Sequence, residues 1–279
     1  MIGAADEGRL VNYLKSGDVE IAYLDEGEGP SVLLGHCSAA SHKEWAPLID
    51  ILAEDWRVLA PDFIGYGNSD HWPAEKTFSI EADVEALLAI ADLAEGPLHL
   101  VGHSYGAALV LEAATTLKDK VKSLTLIEPV SFHLLRLEDL PEWQDVEKLS
   151  VAVLDPVAKG DDKKAAGAFM GYWLGRWRWW ISPDSFKSAI AATIPKVALE
   201  FSIALDAKST ALDYAEFEAP TLLILGSKTP PPTRAVTELL SKTLPNVELK
   251  TLKGVGHMSP FTHPTKVNRM ILDHLLAHR

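Results

Sequence analysis

The sequence predicts an α/β fold: a mostly parallel sheet with helices on both faces. Three observations predict it. Short continuous apolar runs such as 31–35 and 98–102 read as strands covered on both sides. Segments with apolar residues at helical spacing alternate with these runs. The alternation resumes in the last sixty or so residues after a long helical gap.

Taken in order, the chain opens with two strands, 9–14 and 19–24, joined by the turn sequence Ser16-Gly17-Asp18. Gly27-Glu28-Gly29-Pro30 then breaks the chain before the strand at 31–35. A helix is expected over 43–54, where Trp45, Leu48, Ile49 and Leu52 fall on one face. Strand 57–60 follows. Helix 80–93 carries a stripe of Ile80, Val84, Leu87, Leu88 and Ala91. Strand 98–102, helix 107–117 and strand 121–127 complete the first half. Strand 221–225, helix 234–244, strand 247–252 and helix 265–277 bring the total to eight strands.

Between the halves, 131–218 has no clear strand and several helical stretches. Ser182-Pro183 reads there as an N-cap followed by proline. Four of the eight tryptophans, Trp173, Trp177, Trp179 and Trp180, fall within eight residues of this stretch. The expected organisation is a core of 1–130 and 219–279 with a helical cap, 131–218, over the strand ends, where such sheets carry their sites. A second helical layer of the same core is the alternative.

At 279 residues, with 47% hydrophobic and 23% charged, the chain can bury a full core. It carries 26 Lys and Arg against 39 Asp and Glu, a net charge of −13. A chain this acidic repels phosphate backbones and anionic membranes, so neither nucleic acid nor membrane is expected as a partner. The single Cys37 excludes an internal disulfide and a cysteine-built zinc site. The opening, with Asp6 and Glu7, lacks the apolar core of a signal peptide. No run approaches the ~18 apolar residues of a membrane span. A cytoplasmic monomer or homodimer acting on a small molecule is expected. No metal motif, P-loop or dinucleotide fingerprint is present, so no cofactor is expected.

The sharpest chemical signal is Gly102-His103-Ser104-Tyr105-Gly106. A G-x-S-x-G that ends a strand and opens a helix is a nucleophile elbow. The serine sits on a tight turn, the glycines let neighbouring chains approach, and the helix N-terminus points N–H groups at an oxyanion.

With this motif the chain resembles the α/β-hydrolase superfamily over nearly its whole length, which implies the α/β-hydrolase fold. Three further motifs occur in the superfamily's order. Gly35-His36-Cys37-Ser38 looks like its oxyanion loop, with Trp45 nine residues after His36 and Cys37 where a glycine is usual. The resemblance makes the backbone N–H groups of Ser38 and Tyr105 the oxyanion hole. Cys37 reads as a small buried hydrophobe, with a second nucleophile as the rival reading. Asp62-Phe63-Ile64-Gly65-Tyr66-Gly67-Asn68-Ser69 resembles a structural loop in which Asp62 bonds local backbone. Gly254-Val255-Gly256-His257-Met258 places His257 after the last strand, where the triad histidine belongs. His263, His274 and His278 are expected in solvent.

The acid is missing from its common place. Relatives read Gly-x-x-Asp after the seventh strand, and here Thr229 stands in Gly226-Ser227-Lys228-Thr229. A neutral hydroxyl cannot stabilise an imidazolium as a carboxylate does. Glu128 ends the preceding strand, 24 residues after Ser104, and some haloalkane dehalogenases carry a glutamate acid after that same strand. A carboxylate at a buried strand end needs a partner, so Glu128 is expected to accept a hydrogen bond from His257. Asp206 and Asp213 are weaker candidates.

These residues predict a serine hydrolase that cleaves a small to medium, largely apolar carboxylic ester or lactone through an acyl-enzyme on Ser104. Dehalogenase and epoxide hydrolase activities are not expected, because those relatives attack with aspartate. A carbon–carbon bond hydrolase or a cofactor-free perhydrolase with the same triad is the alternative. A ligand-binding or signalling protein on a hydrolase scaffold is the alternative of another class. The substrate-contacting candidates are His36, His133, Phe169, Met170, Trp173, Trp177, Trp180 and Met258.

Overall fold

The computed structural model describes residues 9–203 and 209–279. Its eight strands are β1 (Val11–Ser16), β2 (Val19–Glu26), β3 (Ser31–Gly35), β4 (Arg57–Pro61), β5 (Leu98–His103), β6 (Val121–Ile127), β7 (Thr221–Gly226) and β8 (Val247–Leu252). They form one sheet in the order β1-β2-β4-β3-β5-β6-β7-β8. β2 runs antiparallel to β1 and β4, and the remaining pairs are parallel. The central strands β3, β5 and β7 are buried at every position. β8 is a sheet edge, half-exposed and carrying Glu248 and Lys250, which discourages further pairing.

Helices cover both faces. α1 (Ala46–Leu52) packs on one face, where Trp45, Leu48, Leu52 and Trp56 meet Val32, Val58 and Val101. α2 (Ile80–Ala91) and α3 (Tyr105–Leu117) cover the other. The helix expected over 43–54 starts as a separate 3₁₀ turn, His42–Trp45. Pro47 offers no N–H to carry an α-helical ladder back across that junction.

Between β6 and β7 the chain forms α4 (His133–Leu137), α5 (Trp143–Val157), α6 (Asp162–Met170), a π-helical turn at Gly171–Gly175, α7 (Arg176–Ile181), α8 (Asp184–Ile203) and α9 (Ala211–Ala215). Val146, Phe169, Ile194 and Phe201 of this insertion join the same buried cluster as the α2 and α3 face, so the helices lie directly on the core. Ser182 does not cap α8: its hydroxyl donates to the Arg178 carbonyl at 2.8 Å, and Pro183 stands between it and Asp184.

After β7 come α10 (Pro231–Thr243), α11 (Ser259–Thr262) and α12 (Pro264–Ala277). His274 is not in solvent as expected. It is buried on the inner face of α12 beside Ile271 and Leu275, and burial pushes its pKa down to about 4. No helix among the described residues is long and apolar enough to cross a membrane.

Register positions the site. Gly35 pairs with Gly102, His103 with Ile127, and Ile127 with Ile224. The carboxyl ends of β3, β5, β6 and β7 are therefore level, and the loops leaving them meet.

Candidate active site

Ser104 stands between β5 and α3 with φ 56° and ψ −115°, a left-handed conformation costly for a side-chain-bearing residue. The elbow is held because both ends are fixed. The Ser104 N–H donates to the Ile127 carbonyl at 2.9 Å, and its own carbonyl accepts from the Ala108 N–H at 3.1 Å. The flanking glycines are required by space. A Cβ on Gly102 would lie 2.5 Å from the Gly106 carbonyl oxygen, and one on Gly106 would lie 2.3 Å from that of Gly35. All these atoms are backbone and cannot swing aside. Gly106→Ala is expected to lower Tm by roughly 4 °C or more, or to abolish soluble expression, as measured by thermal unfolding.

His257 lies on the loop between β8 and α11, with Nε2 2.9 Å from Ser104 Oγ and Nδ1 2.7 Å from Glu128 Oε2. Glu128 sits just past β6 at φ 49° and is completely buried. Its other oxygen accepts the Gly226 N–H at 2.6 Å, and the Thr229 hydroxyl donates to Oε2. A Cβ on Gly226 would press within 2.8 Å of Glu128 Oε1, so glycine there makes the approach possible. Thr229, at the usual place of the acid, thus supplies a donor to an acid arriving from the neighbouring strand.

Burial alone would raise the Glu128 pKa; the bonds from His257, Thr229 and Gly226 outweigh it and hold the carboxyl below its ordinary value. For His257, burial dominates and depresses the pKa below the ordinary 6.5, with Glu128 offsetting part of the effect. At neutral pH this yields a neutral imidazole beside an ionised carboxylate. Nδ1–H then donates to Glu128, and Nε2 accepts from the serine hydroxyl.

A second carboxylate–imidazole pair, which sequence reasoning missed, backs the first. His103 Nδ1 lies 2.5 Å from Glu44 Oε1, and its Nε2 lies 3.1 Å from the His257 carbonyl oxygen. Burial would lower the His103 pKa, but Glu44 overcomes that and raises it. Glu44 Oε2 also accepts the Cys37 N–H at 2.7 Å. Cys37, Glu44 and His103 bring one ligand-type atom each within 4.8 Å of one another. Because both carboxylate oxygens and both ring nitrogens already have partners, the group is an ion pair that braces two loops. The Cys37 thiol is buried and pushed well above its ordinary pKa by that burial, unlike an activated nucleophile. The left-handed position in this loop is Ala39, at φ 58°, and not Cys37.

Asp62 accepts from the backbone N–H of His42 and of Asn68 at 2.7 and 2.8 Å, and pairs with the His42 ring at 2.7 Å. Asp213 closes a capping box on Thr210 at the start of α9. Asp206 lies outside the described residues.

A cavity of about 40 Å³ lies beside Ser104. Val130, Phe132, Val146, Phe169, Trp173 and Phe201 make it mostly apolar, and Ser38 and Glu200 supply its polar edge. Trp173 covers His257, with ring centroids 4.0 Å apart. Of the substrate-contacting candidates, Phe169 and Trp173 line this space. The others do not.

His36 is fully buried, its Nε2 accepting the Phe63 N–H at 3.0 Å and its Nδ1 bonding the Cys37 carbonyl at 2.7 Å, so it pins two loops together. His133 is buried at the start of α4, and Met170 in the core beneath α6. Met258 begins the turn of α11, its carbonyl accepting from Thr262. Trp177 and Trp180 are each 68% exposed and stack on one another 5.2 Å apart. In an unbroken helix, positions 173, 177 and 180 would share a face. The π-helical turn and Gly175, at φ 94°, reset the phase and turn the last two outward.

Lys196 and Glu200, on α8, were missed altogether. Their spacing in the sequence reads as an exposed helical pair, yet both are buried. The Ser38 hydroxyl donates to Glu200 Oε2 at 2.5 Å. Burial pushes the Glu200 pKa up, and Lys196 and Ser38 offset only part of this.

The chain is similar to several known proteins. Pyrrolizixenacetamide deacetylase of Xenorhabdus hominickii is 33% identical over 148 residues, covering 52% of this chain and 55% of that protein. 2-Hydroxy-6-oxo-2,4-heptadienoate hydrolase of Pseudomonas putida is 34% identical over 136 residues, 47% of this chain and 48% of that one. The chain thus spans about half the length of these two relatives. The enol-lactonase of Burkholderia xenovorans superposes with a TM-score of 0.76 at 18% identity, over 95% of this chain and 100% of the other. Residues 30–264 match the family model described as alpha/beta hydrolase fold, and the chain belongs to that family.

Proposed function

We propose that this protein is a serine hydrolase that cleaves uncharged esters or lactones of short acyl acids through an acyl-enzyme on Ser104. The observation that carries this reading is the continuous line from Ser104 Oγ through the His257 ring to Glu128, at 2.9 and 2.7 Å, opening onto an apolar cavity. His257 Nε2 takes the serine proton as Oγ attacks the carbonyl carbon. Glu128 stabilises the imidazolium that forms. The backbone N–H groups of Ser38 and Tyr105 hold the oxyanion. Collapse expels the alcohol with the proton from His257. Water, deprotonated by the same ring, then attacks the acyl carbon and releases the acid.

The helices of 131–218 serve as the cap, with Phe169 and Trp173 setting the size of the acyl site. A space of about 40 Å³ holds little more than a short acyl group. Glu200 sets its charge. The buried ammonium nearby, Lys196, is already bonded to Asp83 and Glu200, so among the described residues a carboxylate on the substrate would meet one acidic group in the cavity lining and no free cation. This favours a neutral ester over the anionic dienoate that the name of the Pseudomonas relative gives as its substrate.

A panel of p-nitrophenyl esters and a dienoate tests this. Acetate and butyrate are expected to turn over at least tenfold faster than octanoate and hemisuccinate. Faster cleavage of the dienoate than of any ester would replace the reading with carbon–carbon bond hydrolysis.

The His257 environment also fixes the pH dependence. The ring must be unprotonated to accept the serine proton, so kcat/KM falls as pH drops through its pKa. That pKa is lowered, so the acid limb of the kcat/KM profile is expected to have its midpoint below 6.5. A midpoint above 6.5 would show an imidazole held in its charged form and contradict this assignment.

A further inference from the structure

Both residues assigned as oxyanion donors are tied by their own side chains to a single lysine of the insertion. Lys196 Nζ donates to Glu200 Oε1 at 3.0 Å, and Glu200 Oε2 accepts the hydroxyl of Ser38 at 2.5 Å. The same ammonium donates to Asp83 Oδ2 at 2.8 Å, and that oxygen accepts the hydroxyl of Tyr105 at 2.7 Å. Asp83 is fixed on α2, and its Oδ1 accepts the Ile64 N–H at 3.1 Å. The ammonium also lies over the rings of Phe78, Tyr105 and Tyr66, at 4.5, 4.9 and 5.2 Å. Its charge is thus met by two carboxyl groups and three aromatic faces.

We propose that Lys196 is a positioning residue for the oxyanion site. From α8 it holds the Ser38 loop through Glu200 and the first turn of α3 through Asp83, so that the two backbone N–H groups are set at the spacing the oxyanion requires. The proposal rests on the assignment of Ser104, Ser38 and Tyr105 under the proposed function.

Three arguments support it. Asp83, Lys196 and Glu200 are buried together, and replacing such a cluster by apolar side chains of similar volume is often neutral or stabilising, so their presence calls for a role besides holding the fold. The Ser38 loop leaves β3 with Cys37 in a glycine's usual place, and oxyanion donors act only when held within a few tenths of an ångström. The ties are also specific. Ser38 and Tyr105 come from separate segments, and the lysine is the point where their bonded paths join.

The test is steady-state kinetics of Lys196→Met, Ser38→Ala and Tyr105→Phe with p-nitrophenyl acetate, each checked for native circular dichroism. Ser38→Ala and Tyr105→Phe keep the backbone N–H donors and remove only a tie. Lys196→Met is expected to lower kcat by roughly a hundredfold, the effect of displacing one oxyanion donor. KM is expected to stay within about threefold, and the acid limb of the pH profile to stay in place, because the His257–Glu128 pair is untouched. Each tie variant is expected to lower kcat by roughly tenfold. The pair Ser38→Ala with Lys196→Met should lose less than the product of the single losses, because both cut the same path. Lys196→Ala should recover kcat when ethylammonium is added.

If Lys196→Met does not fold, the two tie variants decide. Wild-type kcat in both would overturn the proposal, as would losses in a folded Lys196→Met that multiply with that of Ser38→Ala. Normal ester turnover by the Ser104→Ala variant would instead remove the proposed function on which this rests.

Discussion

Ser104→Ala is expected to lower kcat for p-nitrophenyl acetate by about 10⁶, leaving a folded protein with an empty oxyanion site. The size follows from what the hydroxyl does. It is the atom that bonds to the acyl carbon, and it lies 2.9 Å from His257 Nε2 beside the cavity. Without it, water must attack directly, aided only by binding and by the oxyanion donors. The elbow strain is carried by the backbone at φ 56°, which alanine does not relieve, so circular dichroism and Tm should change little. Turnover within tenfold of wild type would exclude Ser104 as nucleophile.

Glu128→Gln is expected to lower kcat by about 10⁴ with KM little changed. The direction can be worked out atom by atom. The Gly226 N–H points at Oε1 from 2.6 Å and requires an acceptor there, so the amide oxygen takes that position. The NH₂ then faces His257 Nδ1, which must become the unprotonated nitrogen. The ring proton moves to Nε2, where it confronts the serine hydroxyl it should be accepting from. The variant also loses the charge that stabilises the imidazolium. The Thr229 hydroxyl, a donor in the wild type, can rotate to accept from the amide, so the variant remains folded with the wrong tautomer. A loss of less than tenfold would either place the working acid elsewhere or favour a ligand-binding role on a hydrolase scaffold.

Much of this architecture is legible in the sequence because it is local. Gly102, Gly106 and the apolar runs on either side specify a strand, a sharp turn and a helix within a few residues, and β5 and α3 follow. Glu128 could be read because a carboxylate ending an apolar strand has few tolerable surroundings. Thr229 could not: nothing in Gly226-Ser227-Lys228-Thr229 reveals that its hydroxyl would turn toward an acid on the next strand. Lys196 and Glu200 were hidden for the opposite reason. Four residues apart on a long helix, they look like a solvated pair, and only tertiary packing against Asp83 and Ser38 buries them. The aromatic run divided unevenly. Trp173 faces His257 and Trp177 faces solvent, because Trp173 sits inside a π-helical turn, which leaves no periodic trace in the residue types, and Trp177 follows it.

The central claim is that Ser104 carries the acyl group. The most direct measurement is labelling with a fluorophosphonate followed by mass spectrometry of the proteolytic peptides. The account predicts one phosphonyl group per chain, on the peptide containing Ser104, formed more slowly in Glu128→Gln and absent from Ser104→Ala. A label on Cys37 or on any other residue, or full esterase turnover in a protein whose Ser104 stays unmodified, would contradict it.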